Sequence, residues 1–129
     1  MSEMSEIPFQ ENAILGDEKL QAALKSIDQH WADILIRTAG EVWGLPLIDQ
    51  KTKALITIAV DIVNANVSGP CTPFETHVDM ALKQGATLAE IKELLLFMCV
   101  YAGFNKVAGA FGRLNEIEAK GVTNLGTEI

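Results

Sequence analysis

From Leu94 to Ala102 the chain reads LLLFMCVYA, with no polar side in any direction. At helical length such a run must be covered all the way round. One small chain of 129 residues has little material with which to do it. The run is far shorter than the roughly 20 apolar residues of a membrane span, and Glu90, Lys92, Glu93 and Lys106 flank it closely. The expectation is a central helix that meets another subunit.

Helix boundaries around this run are well marked. Thr87 and Glu90 form a capping box, which starts a helix running toward Tyr101. Gly85, just upstream, is a natural left-handed stop for a preceding helix. Thr72, Pro73 and Glu75 repeat the capping pattern, with proline at the first helical position, so a helix is predicted from Pro73. Its apolar face is Phe74, Val78, Ala81 and Leu82, and His77 falls on that face rather than toward bulk water. Glu75 lies on a different face, and its simplest role is to cap Thr72.

Before this pair, Asp49 is a candidate N-cap for a helix whose broad apolar face comprises Leu55, Ile56, Ile58, Ala59, Ile62 and Val63. Lys53, Thr57, Asp61, Asn64 and Ser68 follow one another at helical spacing. Charge patterning alone reads this stripe as a solvated face. The functional reading is a polar pocket wall, with Asp61 amid apolar neighbours. Further upstream, Leu20, Leu24, Ile27, Trp31, Ile34 and Leu35 suit one long helix or two short ones broken near Asp28. After Gly103 a final helix places Phe104, Val107, Phe111, Leu114 and Ile117 inward, with Gly109 and Gly112 permitting close backbone approach. No alternating strand pattern, phosphate-binding glycine loop or internal repeat competes, so the fold class is all-α with about six helices.

Length and 49% hydrophobic content suit one core: a polar N-terminal arm over 1–16, a single helical domain over 17–120 and a tail over 121–129. The formal net charge of -7 argues against nucleic acid or an anionic membrane as partner, since lysine and arginine supply most of that affinity. MSEMSEIPFQENA lacks the basic and apolar regions of a signal peptide, which gives a cytoplasmic expectation. Cys71 and Cys99 are then expected to be free thiols. Cys99 reads as a small apolar residue. Cys71 stands beside the predicted helix start, where backbone amides can favour a thiolate, or it is a loop cysteine without chemical consequence. His30 beside Trp31 reads as a surface or packing residue, and no cluster has metal-ligand spacing.

The run H-x-x-x-A-L-x-x-G-A-T-x-x-E-I-x-E-x-L-L from His77, followed by V-Y-A-G-F, resembles the carboxymuconolactone decarboxylase family, and KTKALITIAV at 51–60 is similar to the helix that precedes it there. The resemblance covers about residues 45–119. It implies an alkylhydroperoxidase D-like helical bundle, commonly a trimer or hexamer, and it favours the break near Asp28. The family includes lactone decarboxylases, thiol-dependent alkyl hydroperoxidases and members without an assigned reaction. The peroxidase branch uses a C-x-x-C pair shortly before a histidine. Here those positions are Pro70 and Pro73, Cys71 stands alone, and the branch's relay glutamate corresponds to Ala54. The loop 64–72 is about four residues longer than in either branch.

For His77 the residues alone suggest a satisfied core histidine, whereas the resemblance implies an acid/base group. The leading expectation is a decarboxylase-like enzyme that acts on a small lactone or related carboxylate without metal or organic cofactor. His77 exchanges the proton, Cys71 is a further catalytic candidate, and Asp61, Thr57, Phe74 and Tyr101 line the substrate site. The alternatives are a thiol-dependent peroxidase of peroxiredoxin type that uses Cys71, and a non-catalytic small-molecule-binding protein on the same scaffold.

Overall fold

The computed structural model describes residues 12–69 and 72–120. Among these residues it contains six α-helices and no strand, so the protein is all-α. The chain divides after Gln50 into two compact units.

The first unit carries α1 (Glu18–Ile27) and α2 (Gln29–Trp43). Asp17 starts α1, its side chain accepting from the backbone N–H of Leu20 at 3.0 Å. The expected break falls at Asp28, which is extended and ends α1 while its carboxylate accepts from Trp31 N–H at 2.8 Å to start α2. A residue that caps the next helix cannot also continue the previous one. Residues 12–16, expected to belong to the polar arm, form a turn that is held in place. Asn12 accepts from the N–H groups of Ile14 and Leu15 and donates to the Gly40 carbonyl, while Gln50 accepts from Ala13 N–H and donates to the Trp43 carbonyl. Leu15 lies so close to Gly40 that a Cβ there would stand 2.6 Å from its side chain, so a larger residue at this position would force Leu15 to move. The remainder of the expected arm, and the tail from Gly121, lie outside the described residues.

The second unit holds most of α3 (Gln50–Val63), with α4 (Phe74–Lys83), α5 (Leu88–Ala102) and α6 (Phe104–Ala119). The first of these begins directly after Asp49. Its core contains Ile58, Ile62, Phe74, Ile91, Leu95 and Leu114, all fully buried. The capping box at Thr87 and Glu90 is present as read, both reciprocal bonds included. Gly85 and Gly103 both take positive φ, near +102° and +103°, where an L side chain would be strained. Gly103 thereby turns α5 into α6, and these two helices pack on one another.

Several expectations are corrected. The predicted capping box at Thr72 does not form: α4 begins at Phe74 after Pro73, without a side-chain cap, and the Thr72 hydroxyl donates to the Gly69 carbonyl at 2.8 Å. Glu75 binds two cations instead, with Arg113 at 2.6 Å and Lys120 at 2.9 Å. Charge-assisted bonds are stronger than a neutral cap, so the carboxylate turns toward α6. Phe104, expected inward, is exposed, and Gly112 has open space beside it rather than a closely approaching backbone. The apolar run of α5 is covered on one side only, by the packing of Ile91, Leu95 and Met98. Ile56, Val60 and Val63 of the broad apolar face of α3 likewise remain exposed.

The hydrogen bond from Lys120, with the charges of Lys120 and Arg113 behind it, holds the Glu75 carboxyl below its ordinary value of 4.5. A carboxyl held low in the fold contributes stability above its unfolded pKa and loses it as pH falls through the folded value. Glu75→Gln is therefore expected to melt below the wild type at pH 7, with the difference vanishing on acidification through the carboxylate range. Melting curves taken in pH steps check this, and a difference that persists at low pH would refute the assignment. Solvent screening at this half-exposed group keeps the effect small.

Candidate functional site

Two consecutive helices of the second unit each bring one polar residue to the same place. On α3 the side chains of Ala54, Ile58 and Ile62 are buried in the core, and Asp61 stands beside this face at helical spacing. The helix then ends abruptly. Ala65 takes a left-handed φ of 54°, its N–H donates to the Ile62 carbonyl, and the Asn66 N–H donates to the Asp61 carbonyl at 2.8 Å. The main chain around Asp61 is thus closed by its own helix terminus. On α4, Phe74, Val78 and Ala81 are buried, and His77 sits beside them with its N–H bonded to the Pro73 carbonyl at 2.8 Å.

The geometry joins them. His77 Nδ1 lies 2.6 Å from Asp61 Oδ2. The Asp61 side chain is 5% exposed and that of His77 23% exposed. The carboxylate is therefore shut away while the imidazole remains partly exposed. A carboxylate without a partner at such depth is costly, and the imidazole supplies that partner. The reading of Asp61 as part of a solvated face is thus overturned, because its stripe turns inward at this one residue.

The other sequence candidates lie elsewhere or are otherwise engaged. Thr57, one turn before Asp61, donates its hydroxyl to the Ala54 carbonyl at 2.6 Å. Phe74 has no exposed surface and belongs to the core. Tyr101 is exposed, and its ring packs on Phe97 with centroids 5.1 Å apart. Cys71 lies outside the described residues. Cys99 is a half-buried free thiol and His30 is exposed. Ala54, at the position of the peroxidase branch's relay glutamate, is fully buried.

A cavity of about 330 Å³ opens between α3 and α5, lined by Leu55, Glu90, Glu93, Leu94 and Phe97. Neither Asp61 nor His77 is among its walls. Glu90 is tied to Lys51 at 2.9 Å, and that bond together with the Thr87 N–H holds its carboxyl below the usual range. Two carboxylates beside an apolar floor disfavour an anionic ligand in this cavity. Among the described residues no helix is long and apolar enough to cross a membrane.

The pairing itself was missed in the sequence, although both partners were singled out. The available signal was position: Asp61 falls between Ile58 and Ile62, so a helix that buries those two carries the carboxylate inward with them.

Among the described residues the protein is all-α, and its six helices carry a buried carboxylate bonded to a partly buried imidazole. The model of the carboxymuconolactone decarboxylase family matches residues 30–116, and the chain belongs to that family. It is 29% identical over 108 residues to the 4-carboxymuconolactone decarboxylase of Acinetobacter baylyi, covering 81% of this chain and 78% of the relative. No solved structure matches it.

Proposed function

We propose that the protein is a decarboxylase-like lyase that acts on a small lactone or related carboxylate, with His77 as its acid/base group and no cofactor required. The observation that carries this reading is the 2.6 Å bond between partly buried His77 and buried Asp61. Membership of a decarboxylase family and the likeness to the Acinetobacter baylyi enzyme support it. When carbon dioxide leaves, the electron pair of the broken C–C bond stays on carbon as an enolate or carbanion. A proton delivered to a carbon that shares this charge completes the reaction, and an imidazolium held in a partly buried site delivers it. The proton is one the ring has taken up earlier in the cycle, so atoms and charge balance without an oxidant or reductant.

The experiment is to incubate the purified protein with 4-carboxymuconolactone and follow carbon dioxide release. Release that needs His77 supports the reading. Retention of the lactone without turnover favours a binding protein on the same scaffold, and neither release nor retention removes this substrate class.

The exposed apolar face of α5 and the start of α6, formed by Leu96, Phe97, Val100, Tyr101 and Phe104, is proposed to be covered by further copies of the chain. Large apolar side chains exposed together mark an interaction surface more often than a free one. Val100, 74% exposed, lies in its middle. Val100→Glu is expected to convert an assembled protein to monomers, measured by size-exclusion chromatography with light scattering, because it places a charge in the apolar centre of an interface. An unchanged mass would place the interface elsewhere.

A further inference from the structure

We infer that Asp61 is a positioning residue: its buried carboxylate holds the His77 ring with the proton on Nδ1, which leaves Nε2 as the atom that exchanges protons with substrate. This rests on the reading of His77 as the acid/base group and assigns which of its two nitrogens works. A carboxylate can only accept a hydrogen bond, and a neutral imidazole has one donor and one acceptor nitrogen. With Oδ2 at 2.6 Å from Nδ1, the donor is Nδ1 and the lone pair lies on Nε2. Asp61 is suited to orient rather than to bind. Its side chain is 5% exposed against 23% for His77, and its backbone is fixed by the left-handed turn at Ala65 and the bond from Asn66 N–H. The nearby Thr57 hydroxyl is spent on the Ala54 carbonyl and does not compete for the carboxylate.

The consequence concerns the order of events. A ring held with its lone pair on Nε2 begins the cycle as a base. It takes a proton from substrate or water and becomes an imidazolium whose Nδ1–H is now paired with an opposite charge. It returns the proton from Nε2 to a carbon of the enolate that loss of carbon dioxide leaves, and the starting tautomer is restored.

The test uses the full chain with ¹⁵N-labelled histidine, observed by NMR at a pH that keeps the imidazole neutral and assigned with His77→Ala. Wild-type His77 is expected to show protonated Nδ1 and unprotonated Nε2. Asp61→Asn, whose amide can donate as well as accept, is expected to populate the opposite tautomer and to lower kcat by on the order of 10²-fold with little change in KM. A purely structural role would not move the tautomer. Protonated Nε2 in the wild type, or an Asp61→Asn protein with unchanged tautomer and kcat, overturns the inference. If Asp61→Asn does not fold, the wild-type spectrum decides alone. The two readings fail separately. A fixed Nδ1–H tautomer in a protein whose His77→Ala variant turns over normally removes the acid/base role and leaves the pairing. A mixed tautomer in an enzyme that needs His77 removes the pairing and leaves the role.

Discussion

Replacing His77 with alanine is expected to lower carbon dioxide release from the lactone by on the order of 10²–10⁴-fold, the usual span for removal of a positioned acid/base group. The loss should fall on kcat rather than KM, because the imidazole acts on charge that develops only as the carbon–carbon bond breaks. Alanine has a second effect that must be separated from the first. Asp61, bonded to His77 at 2.6 Å and almost wholly buried, would lose its partner, and an orphaned buried carboxylate destabilises by about 3–5 kcal/mol. His77→Asn is the cleaner variant, since its amide can still donate toward Asp61 but cannot cycle a proton near neutral pH. The expected result is a folded, inactive protein for His77→Asn and a less stable, inactive one for His77→Ala. Full turnover in His77→Asn would remove the histidine from the chemistry.

Phe74→Ala is expected to lower stability by about 3–5 kcal/mol, as deletion of a buried aromatic ring does, which corresponds to a fall in Tm of about 10–20 °C in a chain of this size. Phe74 is among the largest side chains with no exposed surface, and it sits at the first turn of α4, three residues before His77. The cavity left behind would loosen the helix that carries the imidazole, so activity should fall in parallel with the folded fraction. What separates core from substrate wall is KM, measured well below the melting transition. A stable Phe74→Ala protein with a raised KM would return Phe74 to the substrate site, where the sequence reading had put it.

The helices were legible because their signals are local. The Thr87 and Glu90 box, Gly85 and the break at Asp28 all depend on residues within a turn or two of one another, and short-range hydrogen bonding needs no knowledge of the rest of the fold. The reading failed where a distant group intervened. Thr72 and Glu75 satisfy every local condition for a cap, yet Arg113 and Lys120 draw the carboxylate away. Phe104 fits the inward period of α6 and is nonetheless exposed, because its place at the first position after Gly103 puts it at the edge of the packed face.

The site divides along the same line. His77 was identified from its place on an apolar helix face and from the family motif, both properties of a short stretch of chain. Its partner was also on the page, but as one of five polar residues in a stripe, and charge patterning pointed that stripe toward water. What sets Asp61 apart from Lys53 and Asn64 is its place between Ile58 and Ile62, and that signal takes effect only once the face carrying those two is buried. By itself, then, the sequence determined the helical class and the order of the helices, which follow from spacing and caps, and the family, through the motif that begins at His77. Only the tertiary structure decided that Asp61 turns inward and meets His77, that Thr57 does not, and that Glu75 belongs to α6 rather than to its own helix end. The physical reason is that burial and hydrogen-bond partnership are set by which faces pack together, and residues 16 positions apart in the chain acquire a common environment only when α3 and α4 are in place.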